Sequence, residues 1–565
     1  MTNDDSTAIP TTSISPAARI GWGALIVVTL AVCYFCNLGA IGFVGPDEPR
    51  YAWIARDMAE TGDWVTPRLY GKPWFEKPVL YYWMAGASFK LFGVSEAAAR
   101  LPSAICALFA TLALAWLAWR IYGAETAQWL LLLLPTSVGM IGFSHAAATD
   151  MPFSGMLTIA MVCAAVILGL VQNENTPILP RTPWFALILF GFFLGLAVLA
   201  KGPAAIILCG GAVFFWALFT KKWRNAFRLL HPAAIASFCA TALPWYVLCA
   251  RRNPDFFRVF IIEHNFRRYL TPEFQHIQPF WYYIPVLSVA FLPWLALALG
   301  ALVGWSAAKF SFRPNQSTIY FLCWALFCVA FFSTSKSKLP GYILPGFPVV
   351  ILLSSVAVSS ARSILRKAIL IACVIAGVLF IATGLVVVVS HRFPEKFIDL
   401  EPSAVILVLA MGVANLLLAV ALKARSKTTA HVVLTSLSIA QILFLMGGMN
   451  LLAKRTEFWG MAPGGIASVV AHDGIPIAHL RTLGLKRDAQ YALNFYLHRE
   501  IKDWREDPVD DGFVLSNGLY CDQINPRLAC HDLWSRRDFV SGAWALLRIT
   551  PRGSADGSAS SGQVR

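Results

Sequence analysis

GPDEPRYAWIARDMAETGDW, residues 45–64, lies between two long apolar runs, and KPWFEKPVLYYW follows at 72–83. Carboxylates, arginines and aromatic rings crowd into this gap, while the runs around it carry essentially no charge. Those runs decide the fold class. Of 565 residues, 57% are hydrophobic and only 14% charged, with a mean hydropathy of +0.62, a balance that excludes a soluble globular domain. A bilayer core about 30 Å thick takes roughly 20 apolar residues of helix, and about thirteen such runs can be counted, the first over Ile20–Phe43. The chain reads as an α-helical polytopic membrane protein.

Orientation follows from the short loops. KKWRNAFR (221–228), SARSILRKA (360–368) and LKARSKTTAH (422–431) are basic and free of acids, which assigns them to the cytoplasm. The N-terminal tail lacks a basic n-region, and the first run is longer than a signal-peptide core, so a retained anchor after a cytoplasmic disordered tail, residues 1–19, is expected. An odd number of spans then puts the C-terminus outside. The net charge of +15 is accounted for by basic loops beside anionic headgroups and does not imply nucleic acid. Ten of the twelve cysteines fall in apolar spans, where Cys behaves as a small hydrophobe. Cys521 and Cys530 lie in a polar segment on the outer side, where a disulfide can persist.

The expected organisation is a transmembrane domain over residues 20–454, with a first outer loop at 43–98. A small outer α/β domain at 455–550 and a disordered tail at 551–565 follow. The α/β expectation rests on strand-like IPIAHL (475–480), FVLSN (513–517) and WALLRI (544–549) around a helical AQYALNFYLHREI (489–501). In the first loop, Tyr51, Ile54, Ala55 and Met58 share one helical face, so an amphipathic helix lying along the membrane surface is expected after Asp47 and Pro49. A second interfacial helix is expected over 79–93.

Five loops deliver acids and bases to the outer side: Asp47, Glu48, Arg50, Glu76 and Lys77; Asp150; Lys201; Glu263, His264, Arg267 and Arg268; and Lys336, Lys338 and Tyr342. Each has an ordinary reading. Asp47 and Asp150 stand where helices begin and fit a cap, His264 fits a structural donor, and Lys336 and Lys338 fit headgroup anchors. A charge at the lipid boundary is costly unless hydrated or paired. The coincidence of all of them on one side, with two long aromatic loops, favours a functional cleft.

The segments DEPRYAWIARDM, FEKP, EHNFRRY, QHIQPFWYY and KLPGYILP, in this order and spacing over most of residues 40–350, resemble the bacterial lipid A 4-amino-4-deoxy-L-arabinose transferases. Those enzymes are grouped with the protein O-mannosyltransferase superfamily of membrane glycosyltransferases. The resemblance implies a C-type glycosyltransferase fold with about 13 transmembrane helices, a periplasmic active site in the bacterial inner membrane, and a polyprenyl-phosphate sugar donor. It implies Asp47 as the main catalytic carboxylate, braced by Arg50 beside Tyr51, and Asp150 as a second acid near the acceptor. Lys77 and Tyr342, helped by Arg267, would hold the lipid phosphate, with Lys201 and Lys336 as further substrate-binding cations. Glu76 and His264 match positions where the family can bind a divalent metal; no organic cofactor is implied.

The function expected is transfer of a sugar to lipid A or a related envelope glycolipid. One alternative is transfer of another sugar to a glycan or protein hydroxyl; another is a lipid-linked sugar transporter, which the uncharged spans argue against. Nothing in the sequence sets an oligomeric state.

Overall fold

A computed structural model describes residues 16–171, 183–267, 277–307, 315–359, 363–390, 402–423, 470, 474–517, 528–538 and 542–551. Helix α1 (Pro16–Phe35) leads into α2 (Asp47–Thr61), a short hairpin of β1 (Arg68–Leu69) and β2 (Lys72–Pro73), and α3 (Leu80–Phe92). The helices α4 (Glu96–Tyr122), α5 (Ala124–Leu133), α6 (Val138–Ser144), α7 (Asp150–Ile167), α8 (Trp184–Lys201), α9 (Ala204–Thr220), α10 (Trp223–Phe227) and α11 (Pro232–Arg252) follow. After a π-helical segment, Arg258–Arg267, come α12 (Tyr283–Ala290), α13 (Leu295–Ala307), α14 (Gln316–Thr334), α15 (Phe347–Ser359), α16 (Ser363–Ser390) and α17 (Pro402–Lys423).

Among the described residues, six helices are long and apolar enough to cross a membrane, and two bent pairs bring this to eight if each pair is one span. Four shorter apolar helices add to them. The apolar run within residues 432–452 lies outside the described residues. Both bent pairs read as single runs in the sequence, yet α5 and α6 meet at 63° and α12 and α13 at 114°. The two breaks pair with one another: Val138 N–H donates to Leu292 O at 2.9 Å, and Trp294 Nε1 donates to Thr136 Oγ1 at 3.0 Å. Thr136 and Trp294 are buried. Irregular backbone is tolerated at membrane depth only where protein satisfies it, and here each break satisfies the other without an ionisable side chain.

Asp47 and Glu48 supply negative charge to the first turn of α2, where the helix dipole favours it. Gly62 ends the helix in the left-handed conformation, its N–H donating to Met58 O. The apolar face of α2 departs from the surface-helix expectation. Tyr51, Ile54, Ala55 and Met58 are all buried, because α3 packs on this face. Gly86 of α3 permits the close approach: a methyl group there would sit 3.0 Å from Ala55 O and 3.1 Å from the Trp64 ring.

Near the C-terminus, β3 (Leu480–Leu483), β4 (Gly512–Asn517), β5 (Leu528–Asp538) and β6 (Gly542–Pro551) form one sheet in the order β3-β4-β6-β5. The β3–β4 pair is parallel and the others antiparallel. Helix α18 (Arg487–Leu497) connects β3 and β4, as a parallel pair requires. The strand expected at 475–480 begins only at Leu480, since Ile477–His479 form a 3₁₀ turn after Pro476. Strand β5 was not expected; its sequence, LACHDLWSRRD, lacks a clear alternation of apolar and polar residues. Cys530 is disulfide-bonded; Cys521 lies outside the described residues.

Candidate active site

Two charged clusters form at the entries to α2 and α7. In the first, Arg50 Nη2 lies 2.5 Å from Asp47 Oδ1 and 3.1 Å from Glu76 Oε2, and Glu76 Oε1 takes Lys77 Nζ at 3.1 Å. Asp47 does not cap α2: the N-cap is Pro46, without a side-chain hydrogen bond. Its carboxylate instead reaches Arg50 one turn on, and half of it is exposed (48%) while the Arg50 side chain is 5% exposed. The guanidinium lies over the rings of Tyr51 (5.1 Å) and Trp74 (5.3 Å). Burial alone would make Arg50 easier to deprotonate, but the Glu76 and Asp47 carboxylates beside it raise its pKa, so it stays charged. Burial, then Glu76, keeps the Tyr51 and Tyr82 hydroxyls neutral. Three buried donors here lack a partner among the described residues: Arg50 Nε, Trp74 Nε1 and Tyr82 OH. Unsatisfied buried polar groups are costly, and their gathering around one guanidinium suits a polar ligand.

In the second cluster, Asp150 Oδ1 receives Lys201 Nζ at 2.5 Å, and Lys201 Nζ lies 4.8 Å from the centre of the Tyr342 ring. Asp150 also forgoes capping; Thr149 precedes it without a side-chain cap. Gly341, beside Tyr342, leaves room for the Asp150 carboxylate, into which a methyl group would run.

A buried ion pair that sequence reasoning missed joins the two. Arg100, in α4, makes a bidentate pair with Glu48 (Nε–Oε1 3.1 Å, Nη2–Oε2 2.8 Å) and donates to Leu38 O, Ile41 O and Gly42 O. Glu48 also accepts the amides of Val44 (2.7 Å) and Ala147 (2.6 Å). The residue after Asp47 is thereby fastened to the turn that leads into Asp150. The only sequence signal was a basic residue at the start of a span, which reads as an ordinary boundary charge.

The remaining expected residues fare differently. Lys336 is exposed and shows no contact with either cluster, whereas its neighbour Lys338 is buried and donates to Ser335 O (2.6 Å) and Gln278 O (3.0 Å). The anchor role fits Lys336; Lys338 instead ties two backbone segments together. Arg267 is exposed at the end of the π-helical segment. The His264 side chain and Arg268 lie outside the described residues. Glu76 also borders an open cleft of about 530 Å³ with Trp74, Arg252 and Arg258. As a metal ligand Glu76 is poorly suited, because each of its oxygens already faces a cation. Among the described residues no group of three His, Cys, Asp or Glu side chains is arranged to hold a metal.

A family model described as dolichyl-phosphate-mannose-protein mannosyltransferase matches residues 22–260. A protein of Edwardsiella ictaluri named undecaprenyl phosphate-alpha-4-amino-4-deoxy-L-arabinose arabinosyl transferase is 34% identical over 338 residues, 59% of this chain and 59% of its own length. One of the same name from Serratia proteamaculans is 32% identical over 387 residues, 67% of each chain. The chain thus spans 56–59% of the length of the first three curated relatives it matches. Among solved structures, ArnT from Cupriavidus metallidurans bound to undecaprenyl phosphate matches with a TM-score of 0.75 at 23% identity, covering 96% of this chain and 100% of that chain. Its apo state matches with a TM-score of 0.73 at 24% identity, covering 94% and 98%. The fold is shared over nearly the whole chain.

Proposed function

This chain belongs to the family of undecaprenyl phosphate-alpha-4-amino-4-deoxy-L-arabinose arabinosyl transferases, and on that premise we propose that it transfers a sugar from undecaprenyl phosphate to lipid A. The sugar is 4-amino-4-deoxy-L-arabinose, as in the relatives' name. In this reading the protein is a multi-pass enzyme of the bacterial inner membrane, with thirteen spans and a periplasmic active site. Residues 20–454 form its transmembrane domain and residues 455–550 a periplasmic α/β domain.

The observation that carries the reading is the convergence of Asp47, Arg50, Glu76 and Lys77, with orphaned donors around them, one residue from the Glu48 link to the Asp150 turn. Glycosyl transfer develops positive charge on the sugar and negative charge on the departing phosphate. Fixed cations at that phosphate act where charge grows. Lys77, with Arg267 and Tyr342, fills that role, and Lys201 steadies Asp150 and the Tyr342 ring. Arg50 holds the Asp47 carboxylate beside the sugar, where it stabilises the cationic ring.

An acceptor phosphate oxygen, already ionised near neutral pH, attacks C1 as the bond from C1 to the donor phosphate oxygen breaks. Undecaprenyl phosphate leaves with that bond's electron pair, and a single displacement inverts the anomeric centre. No proton need move at Asp47. With a hydroxyl acceptor, Asp47 would instead have to remove a proton.

The test uses purified full-length protein in lipid, undecaprenyl-phosphate-linked aminoarabinose and lipid A, with mass spectrometry of the product. Wild type should add the aminoarabinose mass, and Asp47→Asn should reduce the rate at least a hundred-fold. Undiminished transfer by Asp47→Asn would refute the catalytic role, and no transfer by wild type would refute the reading.

A further inference from the structure

Helix α18 stands more than 430 residues from Asp47 in the chain, yet it is fastened against the first cluster. Tyr496 OH donates to Glu96 Oε1 at 2.7 Å and accepts the Phe43 amide at 3.2 Å. Phe495 meets Phe43 edge-to-face, with ring centres 4.8 Å apart. His498 Nε2 lies 2.9 Å from Glu60 Oε2, and Arg56 Nη1 donates to Phe495 O at 3.5 Å. These contacts reach α2, the entry to α4 and the loop before α2, so the orientation of α18 is fixed from several sides.

One turn N-terminal to the docked end, α18 presents Tyr491. Arg50 Cζ lies 5.7 Å from the centre of the Tyr491 ring, and Arg487 Cζ, one helical turn away, lies 5.9 Å from it. Both separations are within the roughly 6 Å at which a ring face attracts a cation. The ring is backed by Tyr70 at 6.4 Å, itself packed on Trp53 at 4.9 Å. A single aromatic side chain therefore joins the buried guanidinium of the first cluster to an exposed one outside it.

The charges of the two guanidinium groups differ in how they are used. Arg50 and Lys77 are matched by Asp47 and Glu76, and Lys201 by Asp150. Arg487 makes no ion pair among the described residues; the nearby Asp488 spends Oδ1 on the Ala489 amide. A phosphate entering the first cluster meets a set of fixed charges that nearly cancels, and a second anionic group needs a cation not already neutralised. Arg487 supplies one, at the solvent edge, pre-oriented by the ring beneath it. Planar guanidinium groups suit phosphate oxygens because they donate in pairs.

We propose that Arg487 and Tyr491 form the acceptor-side wall of the site, Arg487 binding an anionic phosphate of the acceptor glycolipid while Tyr491 holds Arg50 in place from behind. The proposal rests on the glycosyltransferase reading and assigns the C-terminal α/β region a part in substrate recognition. Tyr491 acts through Arg50 and is a positioning residue.

Full-length protein in nanodiscs tests this by two measurements. In equilibrium binding of bisphosphorylated lipid A, with dephosphorylated lipid A as the comparison, Arg487→Gln should weaken only the phosphorylated ligand, by on the order of ten-fold, and Arg487→Lys should recover part of the loss. In transfer kinetics, Arg487→Gln should raise the acceptor KM by a similar factor without raising the donor KM. Tyr491→Ala should lower kcat, and by more than Tyr491→Phe, which keeps the ring. Equal binding of both ligands by wild type and Arg487→Gln, or a donor KM that rises as much as the acceptor KM, would overturn the Arg487 assignment. A Tyr491→Phe variant as impaired as Tyr491→Ala would overturn the stacking role. If wild type transfers no sugar but binds phosphorylated lipid A through Arg487, the wall stands and the proposed reaction falls.

Discussion

Glu48 accepts the Ala147 amide at 2.6 Å through the same oxygen that receives Arg100 Nε. This one carboxylate therefore sets the spacing between the start of α2, which bears Asp47, and the turn that ends at Asp150. Ser103, one residue past Pro102 in α4, reinforces the turn by donating to Ala146 O at 2.6 Å.

Breaking the Glu48–Arg100 pair should be severe. The side chains are 8% and 4% exposed, so removing either partner leaves the other's charge buried, a loss of about 3–5 kcal/mol. Glu48→Leu and Arg100→Met should each lower the thermal unfolding temperature of the detergent-solubilised protein. Many buried pairs can be replaced by apolar residues at little cost. The double variant should nevertheless fail to recover here, because the carbonyls of Leu38, Ile41 and Gly42 and the amides of Val44 and Ala147 would lose their partners together. A double variant as stable as wild type would show that the network is dispensable.

Gly341→Ala is a local probe of the second cluster. The backbone at Gly341 is not left-handed, so alanine is allowed there, but its methyl would overlap the Asp150 carboxylate and press on Phe143. Asp150 must then turn away from Lys201. The expected outcome is a near-normal unfolding temperature with transfer reduced at least ten-fold, on the view that a displaced catalytic group loses its geometry. Normal transfer by a folded Gly341→Ala protein would remove Asp150 from the reaction.

What the sequence disclosed and what it hid follow from the range of each interaction. The first cluster was legible because Asp47, Arg50, Glu76 and Lys77 lie within one loop region, where charge beside apolar runs stands out. Apolar composition likewise marked the spans. The bends at Thr136 and Pro293 were hidden, since a continuous apolar run does not report that two breaks hydrogen-bond to each other across 150 residues. Arg100 looked like a boundary charge because its acceptors are mostly backbone carbonyls, which no motif encodes. Tyr491 was hidden for a related reason: a tyrosine on a distant amphipathic helix becomes part of a site only through docking. Lys338, rather than Lys336, is buried because its ammonium finds the backbone carbonyls of Ser335 and Gln278, and local composition gives both lysines the same appearance.

Acid should selectively loosen the junction between the first loop and α11. Burial alone would raise the Asp63 pKa, but the amides of Thr66 and Val65, then Arg252 and Arg68, outweigh it and hold it below the ordinary value of 3.8. The same turn is tied to α11 by Trp245 Nε1 donating to Val65 O at 2.9 Å and Asn253 Nδ2 donating to Thr66 Oγ1 at 3.0 Å. A depressed carboxylate pKa stabilises the fold fully above the unfolded pKa, and that contribution is lost as pH falls through the folded value. Asp63→Asn should therefore be less stable than wild type at pH 6, with the gap between their unfolding temperatures closing as pH is lowered from about 4 toward 2. Thermal unfolding of both proteins across that range checks the sign. A gap that stays constant, or widens in acid, would mean that the Asp63 charge contributes nothing to holding the loop on α11.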